Sequence, residues 1–351
     1  MQFPTFSSPH QTGTSSVARI MRDVLLALIP GMLCAWWFFG WGVLVNVLLA
    51  VLTCTAAEAL MLALRGRPVG ATLADNSAVL TGVLLALALP PLAPWWIPVV
   101  GGLFAIVIAK QLYGGLGYNP FNPAMIGYVA LLISFPREMT LWSAPAGVGT
   151  AGGLSLPETL AWSFSGVLPE GTSLDALTMA TPLDSMKTSL GLGLTLREIT
   201  AGPLFGGYAG AGWEWINFAY LLGGLYLVYR RAIAWQIPVG MLGALFVIAL
   251  LFYGSDTDAF ASPLFHLLSG AAMLGAFFIA TDPITASTTP RGRLIYGAGI
   301  GVLTYVIRTW GGYPDGIAFA VVLMNMATPT IDYYTKPRVF GETRKRRGGG
   351  P

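Results

Sequence analysis

The chain has 351 residues, of which 55% are hydrophobic and only 10% charged, with a formal net charge of +3. A soluble domain carries roughly a quarter charged residues; a chain this poor in charge cannot cover a water-facing surface and reads as an integral membrane protein bathed in lipid. So small a net charge excludes nucleic acid as a partner, and two cysteines, Cys34 and Cys54, cannot supply the about four ligands of an iron–sulfur cluster.

The first residues, MQFPTFSSPHQTGTSS, are polar and lack the basic then apolar pattern of a cleavable signal, so 1–22 reads as a tail on the side of synthesis. Segments apolar enough to cross a bilayer follow at 23–39, 43–63, 77–91, 95–112 and 122–136. The third is short, and the fifth starts from the Gly/Pro-rich YGGLGYNPFNP. A hydrophilic insertion, 137–212, comes next; glycine and proline dominate 144–172, with LPETLAW (156–162) as a short helix at most. Five more segments lie at 213–230, 235–253, 264–281, 293–309 and 314–331, the eighth overall again short, before a basic tail at 332–351. The expected fold class is an all-α polytopic membrane protein of about ten transmembrane helices.

Lysine and arginine placement sets the orientation. With the N-terminus in the cytoplasm, fifteen of the nineteen fall on the inner side, and only Arg137, Lys187, Arg197 and Arg308 fall outside. Both termini are then cytoplasmic and 137–212 is extracytoplasmic; His10 and His266 fall on opposite sides, which argues against a bis-His haem or zinc site. The halves 23–136 and 213–331 echo each other: GLGYNPFNPAMIGYVALL (116–132) resembles WGGYPDGIAFAVVLMN (310–325), and AVLTGVLLALALPP (78–91) resembles LLSGAAMLGAFFIATDP (267–283). With an odd number of spans per half, the second copy is inverted, an arrangement many transporters use to build a midplane site.

Within the insertion, LDALTMATPLD (174–184) matches the pattern D-x-x-[ST]-x-[AS]-T, whose last threonine is esterified to the phosphate of FMN. That makes Thr181 the candidate acceptor. Asp175 and Thr178 fill the pattern's other polar positions, and the small Ala180 lets the hydroxyl enter a modifying enzyme. Pro182 biases Thr181 toward an extended backbone. The plain structural alternative is a helix cap with Asp175 or Thr178 as N-cap. A second match, Asp282 to Thr288, lies among Arg291 and Arg293 on the inner side. The flavin transferase works outside the membrane, so 282–288 reads as a turn between two spans, lining a pocket at most.

Taken in order, SSPHQTGTSSVARIMRDVLLALIPG, DNSAVLTGVLLALALPP, GYNPFNPAMIGY, DALTMATPLD and ATDPITASTTPRGRLIYGAGIG resemble the NqrB/RnfD family, and within it the D subunits of the Rnf (Rsx) ion-translocating electron-transport complexes. The likeness runs from about 5 to 340. The B subunits of the sodium-pumping NADH:quinone reductases are more distant relatives, with a longer N-terminal extension. The resemblance implies a bacterial inner-membrane protein carrying covalent FMN on Thr181, with the A, B, C, E and G subunits of the same complex as partners and a flavin transferase for maturation. It further implies electron transfer between ferredoxin and NAD coupled to sodium or proton movement, and a second, non-covalent flavin such as riboflavin among the helices.

The residues themselves fit an electron carrier better than an enzyme acting alone. No nucleophile triad, phosphate-cradling loop or nicotinamide fingerprint is present. A flavin would bring the redox chemistry, and the protein placement and electrostatics. Among intramembrane ionisable residues, which default to functional candidates, Glu58 stands out; the plainer expectation is that it pairs near the interface, close to Arg65. Trp36-Trp37 and Trp95-Trp96 read as interfacial anchors. A solute channel or secondary transporter would share the inverted repeat but has no need of a flavin acceptor.

Overall fold

The computed structural model describes residues 17–148, 153–313 and 315–337, and every regular element among them is a helix. The first half contains α1 (Val17–Phe39), α2 (Gly42–Leu64), the one-turn α3 (Val69–Leu73), α4 (Ser77–Ala88), α5 (Trp96–Leu103) and α6 (Pro123–Ser134). Five short helices follow: α7 (Pro136–Met139), α8 (Leu156–Ser165), α9 (Leu174–Leu177), α10 (Pro182–Gly191) and α11 (Leu196–Thr200). The second half contains α12 (Trp213–Tyr229), α13 (Gln236–Ser255), α14 (Pro263–Leu268), α15 (Ala272–Leu274), α16 (Pro290–Trp310) and α17 (Ile317–Thr335). Two stretches wind as π-helix: Phe104–Gln111, continuing α5, and Gly275–Ile279, continuing α15.

Several boundaries differ from the sequence expectation. Helix α1 begins at Val17, inside the expected tail 1–22, because 17–22 has no breaker and continues the turn below. Helix α17 runs on to Thr335, past 331. The insertion 137–212 is not open loop throughout but carries five short helices, α7 to α11. The segment near 264–281 is broken, stopping at Leu268 and resuming at Ala272.

Four helices start alike, with a polar N-cap followed by proline at the first helical position: Asn122-Pro123, Thr181-Pro182, Ser262-Pro263 and Thr289-Pro290. Each cap side chain accepts a hydrogen bond from an N–H of the first turn, and each proline stands where no backbone donor is needed.

Helices α2 and α13 are long and apolar enough to cross a membrane by length and hydropathy alone, at 2.2 each. Helix α2 is built inside out relative to a soluble protein. Helix α2 buries Asn46 and Glu58 and exposes Leu48, Leu52 and Leu60; α13 exposes Val239, Val247 and Leu251. Leucine turned outward while polar groups turn inward is the pattern lipid demands. The two halves pack by matching pairs. Helix α2 contacts α4 and α5, as α13 contacts α14 and α16; α1 crosses α12, and α6 meets α17.

The α1–α12 crossing is close because Gly223 lies on it: a Cβ there would fall 2.1 Å from the Ala27 carbonyl oxygen. Gly223→Val should therefore force the helices apart and cost about 1–3 kcal/mol or more. The check is a lowered thermal unfolding midpoint in detergent, with Gly243→Ala, which meets nothing within 4 Å, as the silent control.

Candidate functional site

Residues 173–191 form two short helices joined by an extended step. Ser173, not Asp175 or Thr178, caps α9, its Oγ accepting from Ala176 N–H at 3.2 Å. Thr178 ends that helix; its hydroxyl donates to the Leu174 carbonyl at 3.1 Å. The 177–179 strip is pinned to 142–144, with Met179 N–H donating to Trp142 O at 2.9 Å and Ala144 N–H to Leu177 O at 3.1 Å. Thr181 then adopts φ −65° and ψ 156°, the extended conformation that a following proline favours, and its Oγ1 accepts from Asp184 N–H at 3.2 Å. Thr181 is thus itself a helix N-cap. Asp175 and Ala180 are exposed, so the four motif residues do not converge into one cluster.

Thr181 lies on the wall of a cavity of about 320 Å³ between the two halves of the bundle. Among mostly aliphatic neighbours, six aromatic rings contribute to its lining: Phe39, Tyr128, Trp142, Trp213, Tyr220 and Tyr313. Three of them pack edge-on or tilted, with centroids 5.7 Å apart for Phe39–Trp142, 5.2 Å for Phe39–Trp213 and 5.0 Å for Trp142–Trp213. A space this size, mostly apolar with a few polar groups at its edge, suits a planar aromatic ligand. The polar groups are Thr181, Asp184, Thr140 and Asp315.

Asp315 belongs to a clamp behind the cavity. Its Oδ1 accepts from Arg308 Nε at 3.2 Å, and its Oδ2 from Ala271 N–H at 2.9 Å. The buried Arg308 guanidinium also donates to His266 O at 2.6 Å and Ser269 O at 3.1 Å. Those carbonyls belong to the end of α14, where the broken helix leaves acceptors unpaired. Lys187, one turn and a half along α10 from Thr181, reaches the end of α16, donating to Ile307 O at 3.4 Å, Tyr313 O at 3.2 Å and Gly311 O. Burial holds its ammonium pKa below the usual lysine value, against the opposing pull of the Asp184 carboxylate. A cation at a helix C-terminus also complements the helix dipole.

Elsewhere, Glu58 does not pair near the interface with Arg65. It forms an ion pair with Lys110 at 2.7 Å, each side chain 1% exposed, and accepts from Gln111 Nε2 at 2.9 Å. Lys110 also donates to Ser77 Oγ at 2.7 Å, and Ser77 in turn to Asp75 at 2.5 Å. The π-helical stretch brings the consecutive Lys110 and Gln111 to the same carboxylate. Arg65 instead reaches Gln111 Oε1 at 3.4 Å. A second cavity of about 60 Å³ lies beside this network, lined by Ser77, Lys110, Asn119, Asn122 and Asp282. The 282–288 segment is a turn, with Asp332 accepting from the Thr288 hydroxyl at 3.0 Å and from its N–H at 3.1 Å.

Residues 5–341 match the sequence profile of the family described as NQR2, RnfD, RnfE. The chain belongs to this family. It is similar to proteins named as the D subunit of an ion-translocating oxidoreductase complex. That of Aliivibrio salmonicida (strain LFI1238) is 54% identical over 351 residues, covering 98% of this chain and all of the relative. That of Pseudomonas aeruginosa (strain UCBPP-PA14) is 54% identical over 350 residues, covering 99% and 98%. That of Escherichia fergusonii is 53% identical over 353 residues, covering 98% and 100%. Family membership, the all-helical fold and the outward leucines agree on a membrane protein.

A buried pair punishes the loss of one member more than the loss of both. Glu58→Leu, leaving Lys110 without its carboxylate, should cost about 3–5 kcal/mol. The double change Glu58→Leu with Lys110→Met should recover most of that, read as the unfolding midpoint of the purified chain in detergent.

Proposed function

We propose that this chain is the membrane-embedded D subunit of an Rnf-type electron-transport complex, that it carries FMN in phosphoester linkage on Thr181, and that it passes electrons to its neighbours in step with ion translocation across the bacterial inner membrane. Its setting is ten spans in two inverted five-helix repeats, with both termini cytoplasmic and 137–212 outside. The matching helix pairs of the two halves and the lysine and arginine bias support that arrangement. The names of relatives at 54% identity support the complex, with the A, B, C, E and G subunits as partners and a flavin transferase for maturation.

One observation carries the flavin: the hydroxyl that the acceptor pattern singles out is the N-cap of α10 and borders a cavity of about 320 Å³ whose lining includes six aromatic rings. FMN, when bound, accepts and donates electrons through its ring system. The protein's own groups do the rest. The first-turn N–H groups of α10 and its dipole favour an anion at Thr181, where the phosphodiester would lie. Phe39, Trp142 and Trp213 supply ring faces and edges that exclude water from a flat ligand. Asp315, fixed by Arg308 and Ala271 N–H, places a negative charge at the cavity wall.

The resemblance also implies a second, non-covalent flavin. The smaller cavity, about 60 Å³, has room for a few waters and does not take a tricyclic ring as it stands, so no residue is assigned to it.

Produced together with a flavin transferase, the chain should give a band on denaturing electrophoresis that fluoresces under ultraviolet light. Thr181→Ala should abolish that band and Thr288→Ala should leave it. Fluorescence persisting in Thr181→Ala, or absent from the unsubstituted chain, overturns the assignment. Trp213→Leu should keep the band while making the flavin of the folded protein more accessible to iodide quenching, since one wall of the cavity is then lost.

A further inference from the structure

Helix α8 is oriented against the rule for a helix on a soluble surface. It buries Thr159 and Ser163, 3% and 5% exposed, and leaves Leu156, Leu160 and Phe164 exposed at 40%, 40% and 52%. The spacing i, i+4, i+8 puts the three apolar side chains on one stripe. At about 100° per residue, that stripe lies roughly a quarter turn from the buried side, while Glu158 and Ser165 fall roughly opposite it. The helix therefore has three distinct sides: one against the protein, one apolar and one polar.

The side against the protein fixes where the helix lies. Trp162 Nε1 donates to Leu92 O at 2.9 Å, and Trp95 N–H donates to Ser163 O at 3.1 Å. The Phe164 ring stacks on Trp95 with centroids 6.3 Å apart and planes 14° apart. Residues 90–95 form the turn between α4 and α5, at the start of the membrane-length α2: Asn46 Nδ2 donates to Pro90 O at 2.9 Å. Helix α8 also packs directly on α2. Trp95 is itself exposed, as is Trp37 near the end of α1, and exposed tryptophans at span ends mark the level of lipid headgroups.

We infer that α8 is an interfacial helix lying in the headgroup region of the leaflet on the Thr181 side, with Leu156, Leu160 and Phe164 inserted toward the acyl chains and Glu158 and Ser165 in water. Its occupant is the lipid surface, because the stripe ends on the exposed Trp95 through Phe164 and the helix packs on α2, which itself turns Leu48 and Leu52 outward. The attachment is hydrophobic and not electrostatic. Residues 156–165 contain no lysine or arginine, and the charge of Glu158 is taken up by the capping box at Ser155, whose N–H and Oγ donate to it at 2.7 and 2.6 Å. The inference rests on the chain being a membrane protein and is independent of the flavin. Its consequence is that the segment leading to Thr181 is held at the bilayer surface at both ends of α8.

The test places nitroxide labels at Leu160→Cys, Phe164→Cys and Ser165→Cys in the full-length chain, reconstituted in phosphatidylcholine vesicles alone and within its native assembly. The unsubstituted chain, treated in parallel, reports any signal from Cys34 and Cys54. Collision with oxygen should exceed collision with a water-soluble nickel chelate at 160 and 164, with the order reversed at 165. Adding phosphatidylglycerol should change neither ratio. Nickel access at 160 and 164 equal to that at 165 overturns the inference, since the stripe then faces water. Shielding of 160 and 164 from both reagents in the assembly also overturns it, in favour of a protein partner.

Discussion

A helix broken inside an apolar bundle leaves carbonyls and amides that apolar neighbours cannot satisfy, and the structure around Thr181 depends on how this chain meets that cost. The break between Leu268 and Ala272 frees the carbonyls of His266 and Ser269 and the amide of Ala271. Arg308 from α16 takes both carbonyls, and Asp315, just before α17, takes the amide while pairing with Arg308. One buried guanidinium thus ties three elements of the second half together. Ala271 and Asp315 are at once groups of this clamp and part of the cavity lining. The space beside Thr181 adjoins the place where the helix stops. The missing turn is answered by Arg308 and Asp315 together with Asn217, whose Nδ2 donates to Leu268 O at 3.0 Å and Gly270 O at 3.1 Å.

The two ends of the bundle use the same solution differently. At the far end, Asn122 caps α6 and its amide donates to Ile279 O at 3.3 Å, closing the gap where the π-helical stretch after α15 ends. At the Thr181 end, α17 starts from Gly316 with no side-chain cap, and the preceding Asp315 turns its carboxylate toward Arg308 and Ala271 N–H. The halves share a plan of helix pairs and differ in which polar group fills the notch.

Much of this was legible in the residues. The apolar segments, the shortness of the third and eighth, and the polar-then-proline starts at Asn122, Ser262 and Thr289 all follow from local chemistry. Thr181-Pro182 carries the same start signal, so the cap could have been assigned to Thr181 rather than to Asp175 or Thr178. What could not be read was long-range. Lys110 finds Glu58 across 52 residues, and only a π-helical stretch points Lys110 and Gln111 the same way; no periodicity rule anticipates it. The cavity rings come from α1, α6, the 140s, α12 and the turn before α17, segments with no common motif. The helix at LPETLAW is visible in the sequence, but its apolar stripe is only three residues long, too short for a hydropathy window to mark its surroundings.

Lys187 joins two parts of the molecule that chain order keeps apart. Its ammonium closes the last turn of α16 while its own helix begins at Thr181. Helix α10 is consequently a strut braced near its middle by the end of α16, with Thr181 capping its start. Whatever hangs from that hydroxyl is registered against the second half of the bundle, so a shift of α16 along its axis would be felt there as a change of reach.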